Sequence, residues 1–554
     1  MPFFTLPGRL AASFAGLLLT ATSAAVAQPT VAPPWTSVRA VGAGANMATG
    51  TTVVAADAEG NLYQAGTFSN TTTVGGVTLV SQGGPDGFLA KYTADGTVLW
   101  VRQLGSAGAD GAAAVVVDAA GNAYVMGAFV GNIDLGSGLA LSSRGTTQSK
   151  TFCIRYSPQG APQWVQQSND FNYSAGSGLA LDASGHLYLT GAMTGYFVLG
   201  TTPLTSPDNF TSNTAYLARL NAATGQVETL RAAFSYGPND YRLPLLAATP
   251  AGRVYLLPHF TVGLQLPGGG TLGSLGQLDA AVLCYAPDGR LEWARQLGSP
   301  QPDDVRQAAA DAAGNLYVVG HSQGSVRAGL FTLPNNGSSD GFLLKYDPTG
   351  EVQWAQTVNS PDDDRLLALT LGPGGAPYVT GYFSKTITVG SQKLTSSGQS
   401  DVLVAAYSPE GQVRWTQQAG GPGPDYGTGL GLGPNGAVQV LGSYSSPAAF
   451  GQLTLSTPAA GSFVALLGAT VLGTPAARPL ALLLAPNPAN GRVRLRGLPA
   501  GRPVEVFDGL GRRVRTALLA PDASFSVRGL TPGLYVVQTT DALGQPYAGR
   551  LAVE

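Results

Sequence analysis

Gly320-His321-Ser322-Gln323-Gly324 reads G-x-S-x-G, the pattern by which many serine hydrolases present a nucleophile. That chemistry needs a strained turn between a strand and a helix, an oxyanion hole beside it, and an acid and a histidine further along the chain. Gly320 instead belongs to a regular series with Gly66, Gly127, Gly191, Gly381 and Gly442, no helical pattern follows, and the other histidines, His186 and His259, lie upstream. No catalysis is expected at Ser322. Gly431, Gly433 and Gly436 fit G-x-G-x-x-G, but a dinucleotide loop must open a helix whose N-terminus holds the pyrophosphate, and Pro434-Asn435 reads as a hairpin turn. Three scattered His and two Cys have no metal-ligand spacing, so no cofactor is expected; Asp362, Asp363 and Asp364 form a candidate weak cation site. Other Asp residues recur too regularly for a single site. They stand ten positions after a Trp slot (Asp110, Asp240, Asp303, Asp364, Asp425) and six before a Tyr row (Asp86, Asp279, Asp340, Asp401). Such repetition predicts turn capping or hydrogen bonds between repeats.

The repeat that carries these residues is marked by Trp35, Trp100, Trp164, Trp293, Trp354 and Trp415, with Leu230 in the vacant slot, at spacings of 65, 64, 66, 63, 61 and 61 residues. That period is too long for one hairpin and suits one four-stranded sheet with its loops. Turns such as Gly60-Asn61, Gly121-Asn122 and Gly314-Asn315 run in step, as do Tyr92, Tyr156, Tyr285, Tyr346 and Tyr407. Strand-like alternation between Gly, Asn, Asp and Pro turns predicts four strands per unit, the first rich in small residues that fit near an axis where sheets converge. After Trp415 the seventh unit lacks its Trp-bearing strand, whereas Pro34 to Asn46 supplies one before the first unit. Pairing the two ends removes two sheet edges. The prediction is an all-β chain, a closed seven-bladed β-propeller followed by a small antiparallel β-sandwich. The Trp and Tyr rows should pack between neighbouring sheets.

Net charge is −2 and only 11% of residues are charged, so there is no basic field for nucleic acid or anionic lipid. Arg9, an apolar run from Leu10 to about Leu19 and the small residues Ala25-Val26-Ala27 before Gln28 read as a cleaved signal peptide over residues 1–27. No stretch is long enough for a transmembrane segment, and Cys153 and Cys284 are expected as buried free thiols. The propeller is assigned to residues 28–471 and a linker to 472–480. Beyond them, residues 478 to 554 carry ten Arg against five acids, and alternating strands with tight turns over 481–554 predict the sandwich.

The tail motifs Pro486-Asn487-Pro488, PVEVFDGLGRRVRT from Pro503, and LTPGLYVV containing Gly533 and Tyr535, with a short terminus around Arg550, resemble the C-terminal sorting domain of proteins exported by type IX secretion. The propeller units, through D-x-x-G-N-x-Y-x-x-G and D-x-F-x-x-K-Y, resemble the bacterial SBBP repeat family. The resemblance implies passage through the periplasm to the outside of the cell or its outer surface, with the type IX machinery as partner. As a chain end, Arg550–Glu554 is expected to add little stability. Loops that depart from the repeat offer Phe171, Tyr173, Phe210, Tyr216, Tyr236 and Tyr241 as candidate contacts to a carbohydrate or protein ligand. A secreted or surface binding and adhesion protein is the expected function; an extracellular polysaccharide lyase or hydrolase is the alternative.

Overall fold

The computed structural model describes residues 32–43, 53–143, 148–169, 172–207, 213–237, 240, 243–457, 460–468, 480–482, 484–495, 501–508, 513–540 and 546–554. The expected signal peptide and all of the expected linker except Leu480 lie outside the described residues. The chain divides into two compact units, Met1–Ala469 and Thr470–Glu554.

The first unit consists of seven four-stranded antiparallel sheets, some extended by an outer hairpin. In the first sheet the order is Val53–Ala56, Leu62–Phe68, Asp86–Tyr92, Val98–Leu104, and the next five sheets repeat it. The first strands of the seven sheets contact one another in succession, from Val53–Ala56 through Gly111–Val117, Ser174–Leu181, Leu245–Ala248, Asp303–Ala310 and Arg365–Leu371 to Tyr426–Leu432, and the last contacts the first. The seventh sheet takes its outer strand from the N-terminal segment: Trp35–Ala43 pairs antiparallel with Gly461–Leu467. No α-helix occurs among the described residues, and Pro434–Gly436 is a single 3-10 turn.

Local chemistry sets the turns. In the first hairpin Asp57 accepts the Asn61 N–H at 2.7 Å, and Asp118, Asp182 and Asp311 repeat the contact to the residue four positions on. The intervening Gly60, Gly121, Gly185 and Gly314 have φ between 79° and 87°, a region where a Cβ is strained. Within each sheet a Tyr of the second strand meets the Trp of the fourth: Tyr63 with Trp100, Tyr124 with Trp164, Tyr255 with Trp293, Tyr317 with Trp354 and Tyr378 with Trp415, each with centroids about 6 Å apart. The indole N–H groups of Trp100, Trp164, Trp293 and Trp354 reach backbone carbonyls of the following sheet at 2.9–3.1 Å. Large aromatic area is buried and its polar atom paired, which ties each sheet to the next. Cys153 and Cys284 are free and buried; burial pushes both thiols up, that of Cys284 to about 12.

Two assignments within the Trp series change. Trp100 lies opposite Lys91, and by the same register the seventh sheet has Ser37 opposite Leu466. Trp35, two residues earlier, is buried against Phe450 at 5.2 Å and donates its N–H to Gln418 of the preceding sheet. In the third sheet the slot is Thr229, opposite Arg219, rather than Leu230. In the third sheet an arginine two residues further on replaces the missing indole, Arg231 reaching Gly289 as Trp100 covers Gly160; in the seventh, Gly96 is covered by Val464 with the Arg39 Cβ beside it. A flexible cation that can hydrogen-bond while its stem packs fills a slot built for a ring.

The second unit has a five-stranded sheet and a three-stranded sheet sharing one core that includes Val493, Val504, Val506, Phe525, Val537 and Leu551. Its pairing is antiparallel except that Leu480–Ala481 runs parallel to Tyr547–Ala548 and Ala489 makes an isolated parallel bridge to Val553. The terminus is structural, contrary to its expected dispensability. Pro546–Val553 lies between two other strands, Leu551 is fully buried, and Asn487 donates to the Arg550 carbonyl and accepts the Ala552 N–H, both at 2.8 Å.

Candidate functional site

The seven first strands line a cavity of about 990 Å³, mostly with Ala, Val, Leu and Gly. At the end where those strands begin, two columns of the repeat face its mouth. One is the first or second position of the inner strand and the other its cross-strand partner, as in the pairs Gly111–Ala128, Ala175–Ala192, Asp304–His321, Arg365–Tyr382 and Tyr426–Ser443. The first three sheets contribute only Gly, Ala and Thr67 to the lining in these columns, whereas the fourth and fifth contribute His259 and Asp304, with Arg306 beside them; His321, Arg365 and Tyr382 hold the same columns in the fifth and sixth sheets but are not part of the lining. One side of the rim is therefore small, and the other carries hydrogen-bonding groups.

Asp304 organises this side. Its carboxylate lies 3.2 Å from His259 Nε2, 3.3 Å from Arg306 Nη1 and 3.9 Å from His321 Nε2. The Val305 N–H also reaches His259 Nε2, at 2.9 Å. Burial opposes ionisation of Asp304, but the His259 hydrogen bond and the charges of His259 and Arg306 hold its carboxyl well below the usual range. His321 is buried, which brings its imidazole down to about 4 despite Asp304, with Arg365 and Arg306 acting in the same direction as burial. It is neutral near pH 7, and its Nδ1 has no hydrogen-bond partner. One strand over, Arg365 Nε pairs with Asp363 at 2.9 Å, and the Tyr382 hydroxyl donates to the same carboxylate at 2.7 Å. Tyr382 and Tyr426 meet edge to face at 4.7 Å. Burial, and then the bond to Asp363, raises the Tyr382 phenol, so it acts as a donor and not as a base.

Ser322 lies beside His321 but has no nucleophile geometry. Its hydroxyl donates to the Gly324 carbonyl at 2.8 Å, and it ends the second strand of the fifth sheet, with no helix after it. The Asp362–Asp364 run does not converge on one point: Asp362 pairs with Lys385, Asp363 with Arg365, and Asp364 accepts the Ser384 N–H. The recurrent Asp residues cap turns, as Asp110 does for Ser106 and Val130 and Asp425 for Gly421 and Ser445.

The loop residues fare differently from expectation. Phe171, Phe210 and Tyr241 lie outside the described residues. Tyr216 and Tyr236 are core side chains, 0% and 1% exposed; Tyr216 stacks on Phe197 at 4.8 Å and Tyr236 meets Phe234 at 5.1 Å. Tyr216 lies within the third strand of the third sheet and Tyr236 ends the fourth, where successive residues are buried on both faces. Tyr173 is half-buried beside the third sheet. In the second unit Pro486, Asn487, Pro488, Gly533 and Arg550 are exposed, whereas Tyr535 is buried and donates to the Thr531 carbonyl at 2.7 Å. The channel-mouth cluster was missed because its residues are far apart in sequence. Its signal is nonetheless present: seven positions after each turn glycine the chain reads Thr67, Ala128, Ala192, His259, His321, Tyr382 and Ser443, a column that varies where the rest of the repeat is regular.

No protein-family model matches this chain. The regulatory protein FlaEY of Caulobacter vibrioides is 29% identical over 148 residues, covering 26% of this chain and 16% of that protein. An uncharacterized WD repeat-containing protein, L264, of Acanthamoeba polyphaga mimivirus is 24% identical over 192 residues, covering 30% of this chain and 14% of its own length. This chain thus spans less than a fifth of either relative. Among solved structures, the Pan2 WD40 domain of Neurospora crassa aligns with a TM-score of 0.39 at 9% identity, over 79% of this chain and 99% of that one.

Proposed function

We propose that the first unit is a closed seven-bladed β-propeller of a secreted or cell-surface binding protein, and that its ligand is a neutral carbohydrate seated over the channel mouth. The observation that carries this reading is the group His259, Asp304 and Arg306 in the lining of a cavity of about 990 Å³, with His321 beside Asp304, where the first two sheets supply only Thr67, Gly111 and Ala128. Paired Arg and Asp side chains cancel in charge but keep outward donors and acceptors, which suits hydroxyl groups better than an ion. The small residues contributed by the first three sheets leave room for the sugar. Glycan-array screening followed by calorimetry on the wild type and Arg306→Ala tests this; loss of a specific glycan signal in the variant is expected, and retained binding sinks the site.

The enzymatic alternative uses the same cluster, since His321 is neutral beside two arginines. Against it, both carboxylates are engaged by Arg and the Tyr382 proton is held by Asp363. Depolymerisation in a polysaccharide panel, abolished by His321→Gln, would favour it.

For the rest of the chain we propose a signal peptide over residues 1–27, the propeller over 28–471, a linker over 472–480 and a type IX sorting domain over 481–554. What supports the last is the separate folded unit with Pro486, Asn487, Pro488 and Arg550 on its surface. A periplasmic reporter fused to residues 478–554 should cross the outer membrane in a host with type IX secretion; a reporter that stays periplasmic refutes the assignment.

A further inference from the structure

Four of the seams between successive sheets bury two Asp residues on neighbouring backbone segments: Asp86 and Asp110, Asp279 and Asp303, Asp340 and Asp364, and Asp401 and Asp425, with the Asp279 and Asp303 carboxyl groups within hydrogen-bond reach. None of the eight is more than 3% exposed. The arrangement is the same each time. The backbone N–H of the second Asp donates to the carbonyl just before the first, Pro85, Leu278, Ser339 or Ser400, at 2.7–2.8 Å. In the first Asp, one oxygen accepts a turn N–H, from Gln82, Leu275, Asn336 or Ser397, and the other, Oδ1, is buried with no hydrogen-bond partner. In the third pair Asp364 Oδ2 is also without a partner.

Two adjacent buried carboxylates repel, and an unpaired buried charge costs several kcal/mol, of order the desolvation of one ion. No cation offsets them: ion pairs at these seams use Asp304, Asp362 and Asp363 instead, and among the described residues no Lys, Arg or His pairs with the eight. Packing leaves little space for a metal ion. A Cβ on Gly105, Gly298 or Gly420 would come within 1.9–2.5 Å of the Asp86, Asp279 or Asp401 carboxyl. A proton needs no added volume.

We propose that each pair shares one proton, a carboxylic acid donating to a carboxylate, so that the seams are strongest in mildly acidic surroundings and weaken as pH rises through neutrality. The proton comes from solvent on folding and returns to it when the pair ionises. Burial, then the neighbouring carboxylate, raises the second Asp of each pair, Asp303 to about 7 and Asp364 and Asp425 to about 6, while Asp110 moves in the same direction. Because these acids hold protons more tightly folded than at the ordinary value of 3.8, their stabilisation is complete below about pH 4 and is lost progressively towards about pH 7. His321, depressed from 6.5 to about 4, contributes with the opposite sign between those values, so the comparison of variant with wild type, and not the slope alone, is decisive.

The test replaces the unpartnered oxygens by amides in the quadruple variant D86N/D279N/D340N/D401N and follows thermal unfolding from about pH 4.5 to pH 8. The amide N–H mimics the shared proton. The wild-type midpoint should fall relative to the variant as pH rises, with the unfolding constants diverging by roughly tenfold or more. Parallel curves, or a variant weakened equally at every pH, would show that these side chains only cap turns. Infrared spectroscopy of the wild type needs no variant: a protonated-carboxyl band should persist near pH 6 and fade by about pH 8, and its absence overturns the proposal. So would stoichiometric metal in the purified protein together with a calcium-dependent midpoint above pH 7.

Discussion

At the residue scale, Asp304 and Trp164 represent two ways a single side chain acts in this repeat. Asp304 stays ionised because His259 and Arg306 offset its burial. Asp304→Ala leaves Arg306 without its counter-charge and should weaken ligand binding at least about tenfold while lowering stability by roughly 1–3 kcal/mol; calorimetry and denaturant unfolding separate the two effects. Trp164 is 8% exposed, contacts Tyr124 and donates to Ala222 of the next sheet. Trp164→Ala should cost about 3–5 kcal/mol, measured by urea unfolding, with no change in binding. The Trp and Tyr columns were readable because each repeats with the period of the fold. The rim column was not, because its residues differ from sheet to sheet and acquire a common location only when the sheets are arranged in a cycle.

At the element scale, the two chain ends within each unit have structural work. Trp35–Ala43 completes the seventh sheet, so deleting residues 28–46 should expose strand edges on two sides and give aggregation detectable by light scattering. The pairing partner was legible from the missing fourth strand. The register was not: a Trp at a tolerable spacing suggested one position, and Ser37 occupies it, because the packing of Trp35 on Phe450 decides which residue faces the seam. The last strand reverses an expectation about termini. Removing Arg550–Glu554 takes Leu551 and Val553 from the core and strands the Asn487 amide. The second unit should then lose its cooperative thermal transition, measured by circular dichroism on residues 478–554, so failed export of that truncation would report unfolding as much as lost recognition.

At the scale of the whole molecule, the division at Ala469 and Thr470 predicts two separable units. Removing residues 470–554 should leave the unfolding midpoint of the first unit within about 2 °C, since the second unit has a hydrophobic core of its own; scanning calorimetry of both forms checks it. The amino-acid sequence alone determined the all-β class, the number of repeats, the pairing of the two ends and the change of composition at the tail. These follow from local alternation, turn residues and periodicity, all carried by neighbours in the chain. Only the tertiary structure decided that Tyr216 and Tyr236 are core, that His259 and His321 both approach Asp304, and that two Asp residues are buried at each of four seams. Such facts depend on which face of a strand turns inward and on contacts between residues tens of positions apart, and neither is set until the sheets pack against one another.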